Sequence, residues 1–268
     1  DLHPRVRRQR QMFIRDRYRR RPLEKLIEKI SMAKEREEVN LLCIPYAGGG
    51  ASAYYAWKKR LNSKVGLYAV QLPGRENRIV DTPYESIHDM IPDLLEEMDV
   101  VVQKPYILFG HSMGAKVAYE LEKAMALKAM GSVELIVSGS RAPHIPEPKP
   151  IGHLPDEAFL KELYRFEGTP VEVLQNKEIM KLFLPLLKTD FTMDEEYYDV
   201  NKKKVNCPIT AFCGKHDVEA NEEDMRQWKD YSDLFTMKVF DGNHFFIKSE
   251  LIKVLDMINE IASKYLKS

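Results

Sequence analysis

Residues 105–114 join an apolar, aromatic run, Pro105-Tyr-Ile-Leu-Phe109, directly to Gly110-His-Ser-Met-Gly114, a serine with a glycine two places to either side. The run predicts a buried strand, and Ala115-Lys-Val-Ala-Tyr-Glu-Leu-Glu-Lys-Ala124 behind it predicts a helix. Strand and helix can meet over so few residues only through a sharp turn. In such a turn the serine takes strained backbone angles and the glycines let the two elements approach closely. The segment therefore calls for an α/β architecture and projects the Ser112 hydroxyl from the tip of the turn. The five-residue pattern alone recurs by chance; the strand before it and the helix after it give it weight.

Strands and helices alternate along most of the chain. Val39–Pro45, Val65–Leu72, Val133–Ser138, Pro208–Cys213 and Phe235–Phe240 read as further strands. Helices are expected over 52–62, 85–103 and 248–267. Short apolar strands separated by helices predict a mostly parallel central sheet with helices on both faces. One segment breaks the rhythm. Between Ser138 and Pro208 no strand is expected; Pro143, Pro146, Pro148 and Pro150 stiffen its entry. Leu154-Pro-Asp156 then opens a helix, and Asn176 to about Val200 reads as another, interrupted at Pro185. An insertion over about 144–204 is expected to form a helical lid above the carboxyl ends of the strands.

Charge separates the amino terminus from the rest. Residues 1–31 hold 11 Lys and Arg against 4 Asp and Glu, whereas the rest of the chain holds 30 against 37. A basic stretch attracts acidic partners or nucleic acid; the plainer reading is a solvated extension, and residues 1–38 are assigned as a basic arm preceding a domain over 39–268. The first residue is Asp1, and Met32 stands a few residues before the first strong strand, so a frame beginning there would still encode that domain. Cys43, Cys207 and Cys213 form neither a disulfide framework nor a metal-type spacing. No apolar run approaches the roughly 20 residues of a membrane span. A cytoplasmic monomer, without nucleic-acid or membrane partners, is the expectation.

A serine attacks only with a base beside it, and the base needs an orienting carboxylate. Of seven histidines, His244 follows the last expected strand within Phe240-Asp-Gly-Asn-His-Phe-Phe246, where a loop can reach back over the sheet edge. His111, inside the turn, is expected to point away from the Ser112 hydroxyl. Asp217, in Phe212-Cys-Gly-Lys-His-Asp217, ends the loop after the preceding strand, and completes the order Ser…Asp…His of α/β-hydrolases. Glu219 is the fallback, and Asp241 is too close in sequence to turn onto His244. A tetrahedral oxyanion needs N–H donors: the Met113 N–H at the helix start, and the Ala47 N–H, with Tyr46 as its alternative, in Pro45-Tyr-Ala-Gly-Gly-Gly50. That glycine loop lacks the Gly-Lys-Ser/Thr ending of a phosphate cradle.

Four motifs, Pro45-Tyr-Ala-Gly-Gly, Leu72-Pro-Gly-Arg-Glu-Asn-Arg78, Phe109-Gly-His-Ser-Met-Gly114 and Ser140-Arg-Ala-Pro143, resemble successive signatures of type II thioesterases, the editing enzymes of nonribosomal peptide and polyketide synthesis. The insertion is similar too, in His153-Leu-Pro-Asp156, Gly168-Thr-Pro170, Leu174-Gln-Asn-Lys-Glu178 and Leu184-Pro-Leu-Leu-Lys-Thr-Asp190. The resemblance covers roughly 39–260 and leaves out the basic arm. It implies an α/β-hydrolase fold with Ser112, Asp217 and His244 as triad, and hydrolysis, without a cofactor, of acyl thioesters carried on the phosphopantetheine arm of acyl or peptidyl carrier proteins. His216 departs from the small or acidic residue often found at its place in the family. A simple esterase or lipase, and an acyltransferase or cyclising enzyme, are the alternatives. Phe159, Leu163, Phe166, Leu182, Phe183 and Leu187 would line an acyl pocket or, equally, pack as helix core against the sheet.

Overall fold

A computed structural model describes residues 25–31, 36–166, 168 and 174–267. The arginines between Arg5 and Arg21, Met32, Thr169 and Pro170 lie outside the described residues. The elements are β1 (Ile27–Lys29), β2 (Val39–Ile44), β3 (Val65–Val70), α1 (Ile87–Glu97), β4 (Tyr106–His111), α2 (Met113–Leu127), β5 (Glu134–Ser138), α3 (Asp156–Leu163), α4 (Lys177–Glu196), β6 (Ile209–Gly214), α5 (Glu222–Arg226), β7 (Phe235–Phe240), α6 (Phe246–Ser249) and α7 (Leu251–Ser263).

The strands form one seven-stranded sheet in the order β1-β3-β2-β4-β5-β6-β7. Only the β1–β3 pairing is antiparallel. Alternation along each strand feeds two cores. Leu42, Ile44, Tyr106 and Leu108 pack with α1 and α2 on one face. Val39, Leu41, Cys43, Ile107 and Phe109 pack on the other with α7 and the 3-10 helix Ala51–Lys59, which contributes Tyr54 and Trp57. Because both faces are covered, the inner strands read as unbroken apolar runs.

Several expected helices differ in detail. The 52–62 segment is a 3-10 helix, the 85–103 helix gives way after Glu97 to a 3-10 turn at Met98–Val100, and the last helix is divided at Glu250. Helix α4 runs through Pro185 without interruption. Proline forfeits one helical hydrogen bond, but Met180, Leu184 and Leu187 on either side of it pack with Phe159 and Leu163 in a separate lid core. The return leg of the lid is fastened to α2 along one helical face. Lys116 pairs with Asp194 at 2.9 Å, Tyr197 donates to Glu120, and Asp199 accepts from Tyr119 at 2.9 Å and Lys123 at 3.2 Å.

The sheet also takes in part of residues 1–38. Strand β1 arises from the segment read as extension, and its Ile27 and Lys29 oppose Val70 and Tyr68 of β3. Leu26 and Ile27 are buried, and the Glu97 carboxylate accepts from both their N–H groups, at 2.8 and 2.9 Å. Three strand residues amid basic sequence give no periodicity to read, so only tertiary packing reveals them. A chain beginning at Met32 would lack this edge strand. Burying a Leu or Ile side chain contributes about 1.5–3 kcal/mol. Deleting residues 1–31 is therefore expected to lower stability by about 3 kcal/mol or more, read as a fall in the urea midpoint; an unchanged midpoint would contradict the packing described.

Candidate active site

Parallel strands send all their carboxyl ends to one edge of the sheet, so the loops after β2, β4, β5, β6 and β7 converge there. Ser112 sits at the β4–α2 turn with φ 54° and ψ −124°, left-handed space that a non-glycine residue enters only when its surroundings hold it there. The hold is tight. A Cβ at Gly114 would stand 2.2 Å from the Ile44 carbonyl oxygen and 2.7 Å from that of Pro45, so α2 begins directly against the end of β2. The Ser112 N–H is fixed by the Ser138 carbonyl at 2.8 Å. Met113 opens α2, and a first-turn N–H has no acceptor inside its own helix.

The structure brings Ser112, His244 and Asp217 together. Ser112 Oγ lies 3.1 Å from His244 Nε2, and His244 Nδ1 lies 3.0 and 3.2 Å from the two Asp217 oxygens. An ionised carboxylate only accepts hydrogen bonds, so Nδ1 carries the proton and Nε2 turns its lone pair to the hydroxyl. Asp217 Oδ1 also accepts from the Glu219 and Ala220 N–H groups, at 2.8 and 3.1 Å. Glu219 thus contributes its backbone to Asp217, while its carboxylate faces Arg141 at 3.9 Å. Asp241 is turned away and meets His216 at 3.3 Å on the exposed surface; His216 lies beside Asp241 rather than the Ser112 cluster.

Two histidine rings touch here with opposite tendencies. His111 and His244 centroids are 5.2 Å apart. Burial drives the His111 pKa well below 6.5, and the neighbouring His244 lowers it further. Its Nδ1 pairs with Ser138 Oγ at 2.9 Å, which directs it away from Ser112. Burial also lowers the His244 pKa, but the charge and hydrogen bond of Asp217 outweigh it, with Glu219 and Asp194 adding, so the net shift is upward.

A cavity of about 290 Å³ opens over Ser112 and His244. Its walls include Tyr46, Leu163, Phe166, Phe183, Leu187 and Phe245. Four of the six lid side chains under consideration therefore face it. Phe159 is instead enclosed in the lid's own core, and Leu182 points to solvent, 73% exposed. A smaller cavity of about 40 Å³, also bounded by Ser112 and His244, is edged by charged groups including Lys116, Arg141 and Glu195. Ala47 borders both. In its loop, the Gly48 N–H is held by Asp190 Oδ2 at 2.7 Å and the Gly49 N–H by the Tyr46 carbonyl at 2.8 Å; among the described residues the Ala47 N–H meets no acceptor. Ser52, just past the glycines, donates to the Glu76 carboxylate at 2.6 Å, an anion standing where a phosphate cradle would need none.

Phe245 and the Arg75–Asp190 contact were not foreseen as parts of the site. Phe245 packs edge-on to Tyr46 at 4.9 Å; its place directly after His244 was the available signal. Arg75 and Asp190 stand in quoted motifs, but no spacing rule links residues so far apart. Among the described residues there is no group of three or more His, Cys, Asp or Glu suited to a metal ion, and no helix is long and apolar enough to cross a membrane.

Imidazole NMR titration is expected to give His244 a midpoint above 6.5 and His111 one well below it. In Asp217→Asn the largest raising charge is gone and burial remains, so the His244 midpoint should fall; a midpoint unmoved by the substitution would contradict this electrostatic account.

Comparison with known proteins gives the family. Residues 39–262 match the Thioesterase domain family. The gramicidin S biosynthesis protein GrsT of Aneurinibacillus migulanus is 37% identical over 224 residues, covering 82% of this chain and 88% of its own length. LgrE of Brevibacillus parabrevis, named a linear gramicidin dehydrogenase, is 37% identical over 235 residues, covering 85% and 89%. The solved structure of YbtT, a type II thioesterase from the yersiniabactin nonribosomal peptide/polyketide pathway, superposes with a TM-score of 0.80 at 30% identity, over 87% of this chain and 96% of that one.

Proposed function

The chain belongs to the thioesterase domain family, and from that premise we propose that it hydrolyses acyl groups held as thioesters on the phosphopantetheine arm of carrier proteins, clearing or releasing them in nonribosomal peptide or polyketide synthesis. The observation that carries this reading is the hydrogen-bonded series Ser112 Oγ, His244 Nε2, His244 Nδ1 and Asp217 at the foot of a lid-walled cavity. The names of GrsT and YbtT support the assembly-line setting. A dehydrogenase reading draws no support from the glycine loop, whose end faces the Glu76 carboxylate.

In the proposed reaction His244 Nε2 takes the Ser112 proton as Oγ attacks the thioester carbonyl. Asp217 stabilises the imidazolium. The Met113 and Ala47 N–H groups receive the oxyanion; one such donor is worth about 100-fold or more in rate. Collapse expels the sulfur of the carrier arm, which leaves as a thiol with the proton from His244. Water, deprotonated by His244, then attacks the acyl-serine carbonyl; as the bond to Ser112 Oγ breaks, His244 returns that proton to Oγ and the acid is freed. Each step uses side chains and N–H groups of this chain, so the reading requires no cofactor. In this reading the protein acts as a cytoplasmic monomer that meets its carriers in solution.

Hydrolysis of acylated carrier protein, compared with an aryl ester of the same acyl group, tests it. The expected result is a kcat/KM at least about tenfold higher for the carrier substrate, with Ser112→Ala lowering it about 10^4-fold or more. Since protonated His244 cannot accept the serine proton, kcat/KM should fall as the pH drops through a value above 6.5. Equal rates on both substrates, or turnover persisting in Ser112→Ala, would sink the proposal.

A further inference from the structure

The loop that carries Ala47 is tied to the lid by a buried ion pair that the reaction itself does not use. Asp190 of α4 and Arg75 are 1% and 3% exposed, and their side chains meet in two parallel contacts of 2.6 and 3.0 Å. Burying such a pair brings little net stability, because desolvation offsets the attraction. Its partners give it a geometric role. Asp190 Oδ2 accepts from the Gly48 N–H at 2.7 Å, while Arg75 Nη1 donates to the Gly49 carbonyl at 3.2 Å and Arg75 Nε to that of Pro73 at 3.1 Å.

These contacts brace one turn. The Gly49 N–H to Tyr46 carbonyl bond at 2.8 Å closes residues 46–49, and Gly48, at φ 75°, is its third residue, the pattern of a type II turn. Type I and type II turns differ by a flip of the central peptide, here Ala47–Gly48. The Gly48 N–H belongs to that peptide, so the bond to Asp190 fixes which way it faces; the Ala47 N–H lies on the preceding Tyr46–Ala47 peptide, and its direction is set by how the whole turn is held against α4. Leu187, one turn before Asp190 on α4, lies against the same residue, 2.4 Å from where a Gly48 Cβ would be.

We propose that Asp190 and Arg75 are positioning residues, which lock the 46–49 turn so that the Ala47 N–H faces the developing oxyanion and which make that geometry depend on the seating of lid helix α4. The inference rests on the hydrolase reading above and on Ala47 as donor. It gives a role to charges buried between lid and loop, where they hold the Gly48 N–H and the Gly49 and Pro73 carbonyls in place.

Two variants test it. Asp190→Asn keeps the shape and removes the charge; the double variant Arg75→Met/Asp190→Leu removes both charges and leaves neither orphaned, so it replaces the single change where that one does not fold, and circular dichroism checks each variant's fold before assay. Both are assayed on acylated carrier and for affinity toward two ligands: an acyl trifluoromethyl ketone, which forms a tetrahedral adduct with serine, and a non-hydrolysable thioether analogue of the acyl-pantetheine. Expected is a fall in kcat of about 10- to 100-fold with KM within threefold. Affinity for the trifluoromethyl ketone should fall in parallel, and thioether affinity should stay within threefold. A folded double variant with parental kcat and parental trifluoromethyl ketone affinity would overturn the proposal. So would equal weakening of both ligands, the mark of a merely structural role. Failure of the unmodified protein to hydrolyse the thioester or bind the ketone would instead contradict the hydrolase reading beneath it.

Discussion

The contact on which the site depends is the approach of α2 to the end of β2, where the Gly114 backbone lies so close to the Ile44 and Pro45 carbonyls that no side chain fits between them. At that close approach the chain passes from β4 into α2 through a sharp turn, with Ser112 in left-handed space at the apex. It also brings the loop after β2 beside the first N–H groups of α2, so the two proposed oxyanion donors are neighbours as a result of the turn that projects the serine. Parallel pairing of β4, β5, β6 and β7 then delivers Asp217 and His244 to the same edge.

Electrostatics divides the work between two adjacent rings. His111 pairs with Ser138 and is kept neutral by burial, whereas the Asp217 carboxylate raises the proton affinity of His244. Asp217 stays oriented because the Glu219 and Ala220 N–H groups hold its other lone pairs. Above the site, the lid is anchored where it returns to the body, by the contacts of Asp194, Tyr197 and Asp199 with Lys116, Glu120 and Tyr119 of α2. Its apolar residues serve two ends: Phe159 and Leu184 build the lid's own core, while Phe183 and Leu187 face the cavity.

Much of this was legible in the chain. Apolar runs such as Val39–Ile44 announce strands because both of their faces are covered, and Ser112, Asp217 and His244 follow from where strands end. What sequence hides is long-range or too short to show a period. Strand β1 is visible only through Leu26 and Ile27 packing and the Glu97 carboxylate. The Arg75–Asp190 pair joins two motifs without any local mark of their meeting. Pro185 predicts an interruption that packing on both sides of it overrides, and the outward turn of Leu182 depends on how α4 is rotated.

The central claim is that Ser112 becomes acylated by the thioester. Mass spectrometry of rapidly quenched single turnovers on acylated carrier protein, followed by peptide mapping, tests it most directly. The account predicts an added acyl mass on the peptide containing Ser112, appearing with one equivalent of free carrier thiol and disappearing as acid is released. Thiol release at the same rate with no acylated Ser112 peptide at any quench time, or an adduct on another residue, would contradict it.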